Sequence, residues 1–241
     1  MDRKLVIIPT YNEKENIEAI IRKVFSLEGA FHVLVIDDGS PDGTAAIVQG
    51  LQAEFPDRLH LLQREGKLGL GTAYLTGFKW ALERDYDYIF EMDADFSHNP
   101  DDLLRLHKAC AEEGADLAVG SRYCHGVSVV DWPIGRIVMS WYASKYVRAV
   151  LGMKIYDTTA GFKCYSRKVL ETIDLDAVRM HGYGFQIEMK YTAWKLGFKL
   201  KEVPIIFINR QKGTSKMSSG IFGEAFGGVI RLKFRRIRPK A

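Results

Sequence analysis

Short apolar runs alternate with longer segments of helical pattern through the first half of the chain. The apolar runs occupy residues 5–8, 33–36, 59–63, 88–92 and 116–119. The segments between them predict helices at 13–27, at 44–55, between Gly71 and Arg84, and at 102–113. Strands that alternate with helices at this spacing are typical of a parallel sheet with helices on both faces. We therefore predict an α/β, Rossmann-like fold with a mostly parallel sheet.

Two carboxylates follow the fourth of these runs. Asp93 and Asp95 are two residues apart, and in an extended backbone both side chains point to one face. Two such charges about 4 Å apart repel by about 4 kcal/mol at an effective dielectric near 20, and a divalent cation reverses that sign. The alternative is that Asp95 caps the helix that follows or shapes a turn.

Further polar clusters end the other predicted strands, where ligands of such sheets bind. Tyr11 and Glu13 offer a ring and an acceptor for a nucleoside, and one of Asp37 and Asp38 could accept hydrogen bonds from a base or ribose. The alternatives are a helix cap and an Asx-turn. Lys67 lies in a glycine-rich segment after the third strand, where backbone donors and a lysine suit phosphate.

The composition narrows the class of protein. The 241 residues are 47% hydrophobic and 27% charged with a net charge of +4, which predicts one globular domain and does not favour nucleic acid as a partner. The three cysteines lack metal-ligand spacing and predict free thiols in a reducing compartment. No run of 18 apolar residues occurs, so the expected location is the cytoplasm or the cytosolic face of a membrane.

Seven short motifs stand in order along nearly the whole chain. They are PTYNE at 9–13, DDGSPDG at 37–43, GLGTAY at 69–74, DADFSH at 93–98, GSRY at 120–123, DTTAGF at 157–162 and RQKGTSK at 210–216. Each alone is a weak signal, but the ordered set resembles the dolichol- or polyprenol-phosphate mannosyltransferases, which are inverting glycosyltransferases of the A-type fold.

That resemblance implies a nucleotide-sugar donor, usually GDP-mannose, a Mg²⁺ or Mn²⁺ cofactor and a polyprenyl or dolichyl phosphate acceptor. The residues it assigns to the nucleoside are Pro9, Tyr11, Glu13, Ile36 and Asp38. Those it assigns to the diphosphate through the metal are Asp93, Ala94 and Asp95. Ser97 is a candidate third metal ligand at a position where family members often carry Gln.

The second half of the chain predicts a helix at 134–151, a strand at 162–165, a helix at 182–196 and a strand at 201–208. Arg136 and Ser140 lie one turn apart on the first of these helices and share a face, and an arginine beside a hydroxyl suits a phosphate. With the resemblance, we expect them to bind the acceptor phosphate together with Arg122. The alternative is a core helix with a solvated arginine.

Two cations flank a Gly-Thr-Ser loop after the last predicted strand. Arg210 and Lys216 are expected to close over the donor diphosphate and to stabilise the leaving group. The alternative is a solvated basic loop. Because a phosphate acceptor is already ionised near neutral pH, its second pKa being about 6, we assign no catalytic base.

The tail predicts a helix at 219–241 with Phe222, Phe226, Ile230 and Phe234 in one stripe, followed by basic residues. Such a helix could lie on an anionic membrane surface or dock on its own domain. Some relatives recruit a membrane-embedded partner protein. We predict a catalytic domain at 1–217, with a nucleotide-sugar half at 1–125 and an acceptor half at 126–217, and a basic amphipathic helix at 218–241.

The resulting prediction is an enzyme that transfers mannose from GDP-mannose to dolichyl or polyprenyl phosphate with inversion. One alternative is a polyprenyl-phosphate glucosyltransferase that uses UDP-glucose. A nucleotidyltransferase is disfavoured because the chain lacks an early Gly-rich phosphate loop that contains arginine. From a different class, the chain could be a non-catalytic lipid-binding scaffold subunit.

Overall fold

The protein is built on one seven-stranded sheet and one two-stranded sheet. A computed structural model describes residues 2–180, 182–210, 212 and 221–240. The strands are β1 Lys4–Thr10, β2 Phe31–Asp37, β3 Leu59–Gln63, β4 Tyr88–Glu91, β5 Leu117–Ser121, β6 Val129–Val130, β7 Lys163–Ser166, β8 Leu200–Pro204 and β9 Phe207–Ile208. The large sheet runs in the order β3-β2-β1-β4-β7-β5-β8, and β6 pairs with β9. The predicted fold class is confirmed.

All neighbouring strands of the large sheet are parallel except at β7, which is antiparallel to both β4 and β5. Lys163, the first residue of β7, therefore pairs with Glu91, the last residue of β4. The start of β7 and the segment before it lie at the edge of the sheet where β1, β2, β4 and β5 end.

Helices cover the sheet and extend the fold beyond it. They are α1 Ile17–Phe25, α2 Thr44–Gln52, α3 Leu70–Leu82, α4 Asp102–Ala111, α5 Ile134–Leu151, α6 Arg167–Thr172, α7 Gly182–Lys195 and α8 Ile221–Phe234, with a 3-10 turn at Leu175–Ala177. Every helix predicted from the sequence is present, whereas α6 and the 3-10 turn were not predicted. Within the described ranges, no helix combines the length and the apolar character that crossing a lipid bilayer requires.

The central strands are buried on both faces because successive side chains of a strand point in opposite directions. Val6 and Ile8 of β1 pack in one core cluster with residues of α1, α2 and α4. Leu5 and Ile7 pack in the other with residues of α3, α6 and α7. All four side chains are 0% exposed, so β1 is a fully buried central strand with helices on each side.

A third cluster joins α5, α7 and α8. Val229 and Leu232 of α8 are 1% and 3% exposed and pack with residues of α5 and α7. Arg235 adds an ion pair of 2.5 Å to Glu188 of α7. The described part of the tail helix thus docks on the domain, which is the second of the two outcomes expected for it.

Most of the apolar stripe predicted for α8 lies outside its docking face, although the Phe226 ring stacks on Tyr146 of α5 with centroids 4.3 Å apart. Phe226, Ile230 and Phe234 are 56%, 42% and 84% exposed, and the side chain of Phe222 lies outside the described part of the structure. The helix also ends at Phe234 rather than at residue 241. Pro239 disfavours helical backbone in the residue before it, and Lys240 instead donates to the Thr172 carbonyl at 2.8 Å.

Two further element bounds differ from the prediction. Helix α1 begins at Ile17 rather than Glu13, because Asn12 adopts a positive φ of 56° and a turn from Glu13 to Asn16 precedes the helix. The strand predicted at 201–208 is divided into β8 and β9. Pro204 ends β8, and Ile206 between the two strands is 60% exposed. The chain then crosses to β6 and carries Asn209 and Arg210 towards the site.

Candidate active site

A cleft of about 760 Å³ opens at the edge of the sheet where the parallel strands end. This is the position that the alternation of strands and helices predicts for a ligand. The cleft brings together twelve of the predicted site residues: Pro9, Tyr11, Glu13, Asp38, Lys67, Asp93, Ala94, Asp95, Ser97, Arg122, Arg136 and Arg210.

Three predicted site residues are not part of the described cleft lining. The side chain of Ile36 is 0% exposed in the core, and its carbonyl accepts a long bond from the Thr10 hydroxyl at 3.5 Å. The hydroxyl of Ser140 is occupied, because Tyr123 donates to it at 2.8 Å. Lys216 lies outside the described residues.

The two adjacent acids after β2 have different partners. Asp37 accepts from the hydroxyls of Thr10 at 2.9 Å and Ser40 at 2.5 Å, so it shapes the loop. Asp38 lines the cleft and pairs with Arg64, whose Nη2 lies 2.6 Å from Oδ1. Burial raises the pKa of Asp38, although Arg64 opposes the shift. The sequence did not point to Arg64, which is 26 residues away and lies in an ordinary loop.

Asp93 and Asp95 follow β4 in a bent segment. The backbone N–H of Ser97 donates to Asp95 Oδ1 at 3.0 Å, and the intervening Phe96 has a positive φ of 59°. The backbone N–H of Asp93 donates to His98 Nδ1 at 3.2 Å. The carboxylates differ in access, since the side chain of Asp93 is 41% exposed to the cleft and that of Asp95 is 10% exposed.

The electrostatics of the pair follow from these surroundings. Enclosure by the protein and the charge of Asp95 raise the pKa of Asp93 to about 7. Burial also acts to raise the pKa of Asp95, but the Ser97 hydroxyl, the charge of Arg210 and the Ser97 N–H outweigh it and lower that pKa. Burial lowers the pKa of His98 to about 4, so at neutral pH its ring is uncharged and Nδ1 can accept the hydrogen bond from the Asp93 backbone N–H.

The donor set fits a hard divalent cation that also binds a substrate. Among the described residues, no group of three or more His, Cys, Asp or Glu side chains is arranged to hold a metal. Asp93 and Asp95 would therefore hold the ion together with oxygens from a ligand, which is the usual mode for Mg²⁺. The buried hydroxyl of Ser97 lies beside the Asp95 carboxylate, which suits a role as a further oxygen ligand.

Arg210 places a cation over the acidic end of the cleft. Its Nε and Nη2 lie 2.9 Å and 2.8 Å from Asp95 Oδ2, and Nη2 also lies 3.2 Å from Glu13 Oε1. The segment after β9 delivers it there from a distant part of the sequence. Arg210, which was predicted to close over the donor diphosphate, therefore lies beside Asp95 and Glu13.

Two arginines lie at the opposite end of the cleft, and they differ in the groups that contact their guanidinium. Arg122 is 6% exposed and forms a bidentate pair with Asp157, with both N–O distances at 2.7 Å. Arg136 lies 4.0 Å above the Trp132 ring and donates to Asn209 Oδ1 at 3.2 Å. Within the described ranges no carboxylate pairs with Arg136, so its charge remains available to an anionic ligand.

Several residues of the site were missed from the sequence. Trp132, Gln186, Phe207 and Asn209 all line the cleft, and none was assigned a role from the sequence. Asp157 was quoted within a motif, but its pairing with Arg122 was not foreseen. An aspartate that follows no predicted strand offers no signal of the arginine it will meet 35 residues away.

Residues 5–174 match the family described as Glycosyl transferase family 2. The chain belongs to this family. It is 51% identical over 233 residues to the polyprenol monophosphomannose synthase of Mycolicibacterium smegmatis, covering 97% of this chain and 88% of the relative. It is 47% identical over 229 residues to the undecaprenyl-phosphate mannosyltransferase of Micrococcus luteus, covering 95% and 93%. The family resemblance stated from the motifs is confirmed.

Solved structures agree on the fold. The glucosyl-3-phosphoglycerate synthase of Mycobacterium tuberculosis, in complex with Mn²⁺, UDP and glucosyl-3-phosphoglycerate, superposes with a TM-score of 0.66. The alignment covers 96% of this family 2 chain and 78% of that one at 21% identity. At that identity the likeness establishes the shared A-type glycosyltransferase fold.

Proposed function

We propose that this protein transfers mannose from GDP-mannose to the phosphate of a polyprenyl or dolichyl lipid, with a divalent metal and with inversion at the sugar. The observation that carries the proposal is the charge arrangement of one cleft in a chain related to lipid-phosphate mannosyltransferases. A carboxylate pair suited to a metal-bound diphosphate faces an arginine suited to a second phosphate. A transfer between two phosphates requires both.

The nucleoside would lie over the ends of β1 and β2. Tyr11 offers a ring for stacking, and the ammonium of Lys67 lies 5.5 Å from the centre of that ring. Asp38 and Glu13 offer carboxylate oxygens to the base and ribose, while the backbone of Pro9 and Ile36 shapes the pocket. A guanine base has donors that match carboxylates, which supports GDP over other nucleotides.

The diphosphate would lie at the end of β4, held by Asp93 and Asp95 with Ser97 and the backbone of Ala94 beside them. A bound Mg²⁺ or Mn²⁺ would supply positive charge to the leaving diphosphate. Arg210 already lies within 2.9 Å of Asp95 and is placed to add its charge. Lys216 is proposed to act with it as the chain closes over the donor.

The acceptor phosphate would bind Arg136, with Arg122 and Ser140 supporting that end of the cleft. Its oxygen would attack the anomeric carbon as the bond to the nucleoside diphosphate breaks on the opposite face of the sugar. A phosphate monoester is mostly ionised at neutral pH, so the attacking oxygen needs no proton removed. Catalysis would then rest on positioning and on stabilisation of the departing charge.

The lipid chain and the membrane would lie along α5 and α8. Ile134, Val138 and Tyr142 recur every four residues on α5 and are 79%, 47% and 61% exposed, starting beside the cleft residue Pro133. The exposed residues Phe226, Ile230 and Phe234 continue the apolar surface on α8, next to basic Arg231 and Lys233. Such a surface suits anionic lipid.

This surface supports a peripheral position on the cytosolic face of a membrane, where a membrane-embedded partner protein could also bind. Cys110, Cys124 and Cys164 are free thiols, as a reducing compartment requires. We retain the division into a donor half at 1–125 and an acceptor half at 126–217 as a functional description of the cleft.

The decisive experiment supplies purified protein with Mg²⁺, polyprenyl phosphate and labelled GDP-mannose, and counts the label that enters the organic phase. We expect transfer, its loss with EDTA, and release of GDP in equal amount. Equal or faster transfer from UDP-glucose would replace the donor assignment. Absence of transfer from both donors, together with binding of the lipid, would identify a scaffold instead.

A further inference from the structure

A charged pair lies buried beneath the floor of the cleft, and the proposed function gives it no task. Glu91 ends β4 and Lys163 begins β7, and both side chains are 0% exposed. The Lys163 ammonium lies 2.9 Å from Glu91 Oε1, which also accepts from the Tyr165 hydroxyl at 2.7 Å. Burial of two charges is costly even when they are paired, and apolar residues would fill the same space.

Gln186 of α7 joins this pair through both atoms of its amide. Lys163 can only donate, so it faces Gln186 Oε1. The Glu91 carboxylate can only accept, so it faces Gln186 Nε2, at 2.7 Å. The two partners together determine which way the amide points, and an inverted amide would lose both hydrogen bonds.

One N–H of this amide is left for a ligand. Nε2 carries two N–H groups, and Glu91 takes one of them; no other acceptor for Nε2 occurs among the described residues. Gln186 lines the cleft beside Gly161, where an added Cβ would lie 3.5 Å from Nε2. Gln186 is 2% exposed, and glycine at position 161 keeps a further side chain away from the amide where it borders the cleft.

The position of the Gln186 amide along the edge of the sheet indicates which part of a bound ligand it would contact. The proposed nucleoside site lies over β1 and β2, the carboxylate pair follows β4, and Arg122 follows β5. Gly161 precedes β7, which lies between β4 and β5. The amide of Gln186 therefore faces the part of the cleft between the donor diphosphate and the acceptor phosphate, where the transferred sugar must lie.

We propose that Gln186 is a sugar-binding residue that donates a hydrogen bond to a hydroxyl of the donor hexose. Glu91 and Lys163 are positioning residues that hold the amide in the donating orientation. The inference rests on the proposed function, because it takes a nucleotide sugar as the ligand of the cleft. It extends that function by naming a residue that distinguishes the sugar nucleotide from the bare nucleotide.

The test compares Gln186→Met with wild type by calorimetric titration of GDP and of GDP-mannose in the presence of Mg²⁺. We expect GDP-mannose to bind the variant about 10-fold more weakly, as the loss of one hydrogen bond predicts, while GDP binds equally to both. Tyr165→Phe is the matched control. It removes a hydrogen bond from the same buried Glu91 without touching the amide, and we expect it to leave the ratio of the two affinities unchanged.

Equal weakening of GDP and GDP-mannose by Gln186→Met, or no weakening of either, would overturn the inference. The wild-type protein provides a second test that needs no variant. Among GDP-mannose analogues that lack one sugar hydroxyl, one should bind about 10-fold more weakly than the parent. Undiminished binding of every such analogue would also overturn the role of Gln186. Wild-type protein that bound neither GDP nor GDP-mannose would overturn the proposed function itself.

Discussion

The two ends of the cleft carry side chains of opposite charge. The donor end gathers Glu13, Asp38, Asp93 and Asp95, and of these Asp93 is the most accessible. The acceptor end gathers arginines among aromatic rings, and there Arg122 is neutralised by Asp157 while Arg136 is not paired with any described carboxylate. At the donor end Glu13, Asp38 and Asp95 pair with arginines and Asp93 is left for a ligand, whereas at the acceptor end one arginine is paired and one is left.

The difference between the ends concerns how that remaining charge is stabilised. At the donor end the pKa of Asp93 rises to about 7, because burial and the charge of Asp95 both disfavour its ionised form. At the acceptor end the guanidinium of Arg136 is stabilised by the face of Trp132 and by Asn209. The donor end thus requires a cation for full ionisation, whereas the acceptor end is preorganised for an anion. The following substitutions test this contrast.

The largest effect is expected at the donor end. Asp95→Ala should lower kcat by at least about 10³-fold, because it removes a proposed metal ligand and the partner of Arg210. Transfer assays and thermal denaturation would be measured together, with Asp101→Ala as the matched control. Asp101 is half exposed and pairs with Lys23 outside the cleft, so its loss should leave the rate unchanged. A folded Asp95→Ala variant with a normal rate would refute the metal assignment.

The second effect concerns Arg122, the arginine of the acceptor end that Asp157 neutralises. Asp157→Asn should lower the free energy of unfolding by about 3 kcal/mol, since it leaves the buried Arg122 guanidinium without its counter-ion. Denaturant unfolding monitored by circular dichroism would measure it. Asp174→Asn provides a control, because that aspartate only caps a surface turn. If Asp157→Asn were as stable as the control, the Arg122–Asp157 pair would contribute little to the fold.

A smaller effect, confined to the KM for the acceptor, is expected when Arg136 is replaced. Arg136→Ala should raise KM for polyprenyl phosphate about 30-fold, as the loss of a charged hydrogen bond of about 2 kcal/mol predicts, and leave KM for the donor unchanged. Steady-state kinetics with each substrate varied in turn would show this. An equal rise in both constants would mean that Arg136 supports the whole cleft rather than the acceptor end.

Replacement of Tyr11 at the donor end should change only the KM for GDP-mannose. Tyr11→Ala should raise KM for GDP-mannose about fivefold through lost stacking on the base, with no change for the lipid. The same kinetic assays apply, and Tyr11→Phe, which keeps the ring, should restore the wild-type value. A Tyr11→Phe variant as impaired as the alanine variant would assign the effect to the hydroxyl instead.

The smallest effect is expected at the exposed apolar residues of α8, the proposed membrane contact. Replacing Ile230 and Phe234 by serine should reduce partition into anionic vesicles a few-fold, because two exposed apolar side chains would no longer enter the lipid. Sedimentation with vesicles would measure it, and serine at the exposed Leu104 of α4 is a matched control remote from this surface. Equal partition of all three proteins would place the membrane contact elsewhere.

The order of strands and helices was readable from the sequence because it depends on local patterns. The alternation of buried runs with helical segments predicted the sheet, and the strand ends predicted the edge where Asp38, Asp93 and Asp95 would meet. The antiparallel direction of β7 was not readable, since nothing in the sequence of a four-residue strand encodes its direction.

The tertiary structure alone decided which polar groups are paired. Asp37 and Asp38 are neighbours in sequence, yet one shapes a loop and the other faces the cleft with Arg64. Ser140 lies one turn from Arg136, yet its hydroxyl is bound by Tyr123. The amide of Gln186 takes its orientation from Glu91 and Lys163, which lie 95 and 23 residues away in the chain. Residue type and local pattern determine which groups can bind a ligand, but contacts between distant segments determine which of them are already satisfied.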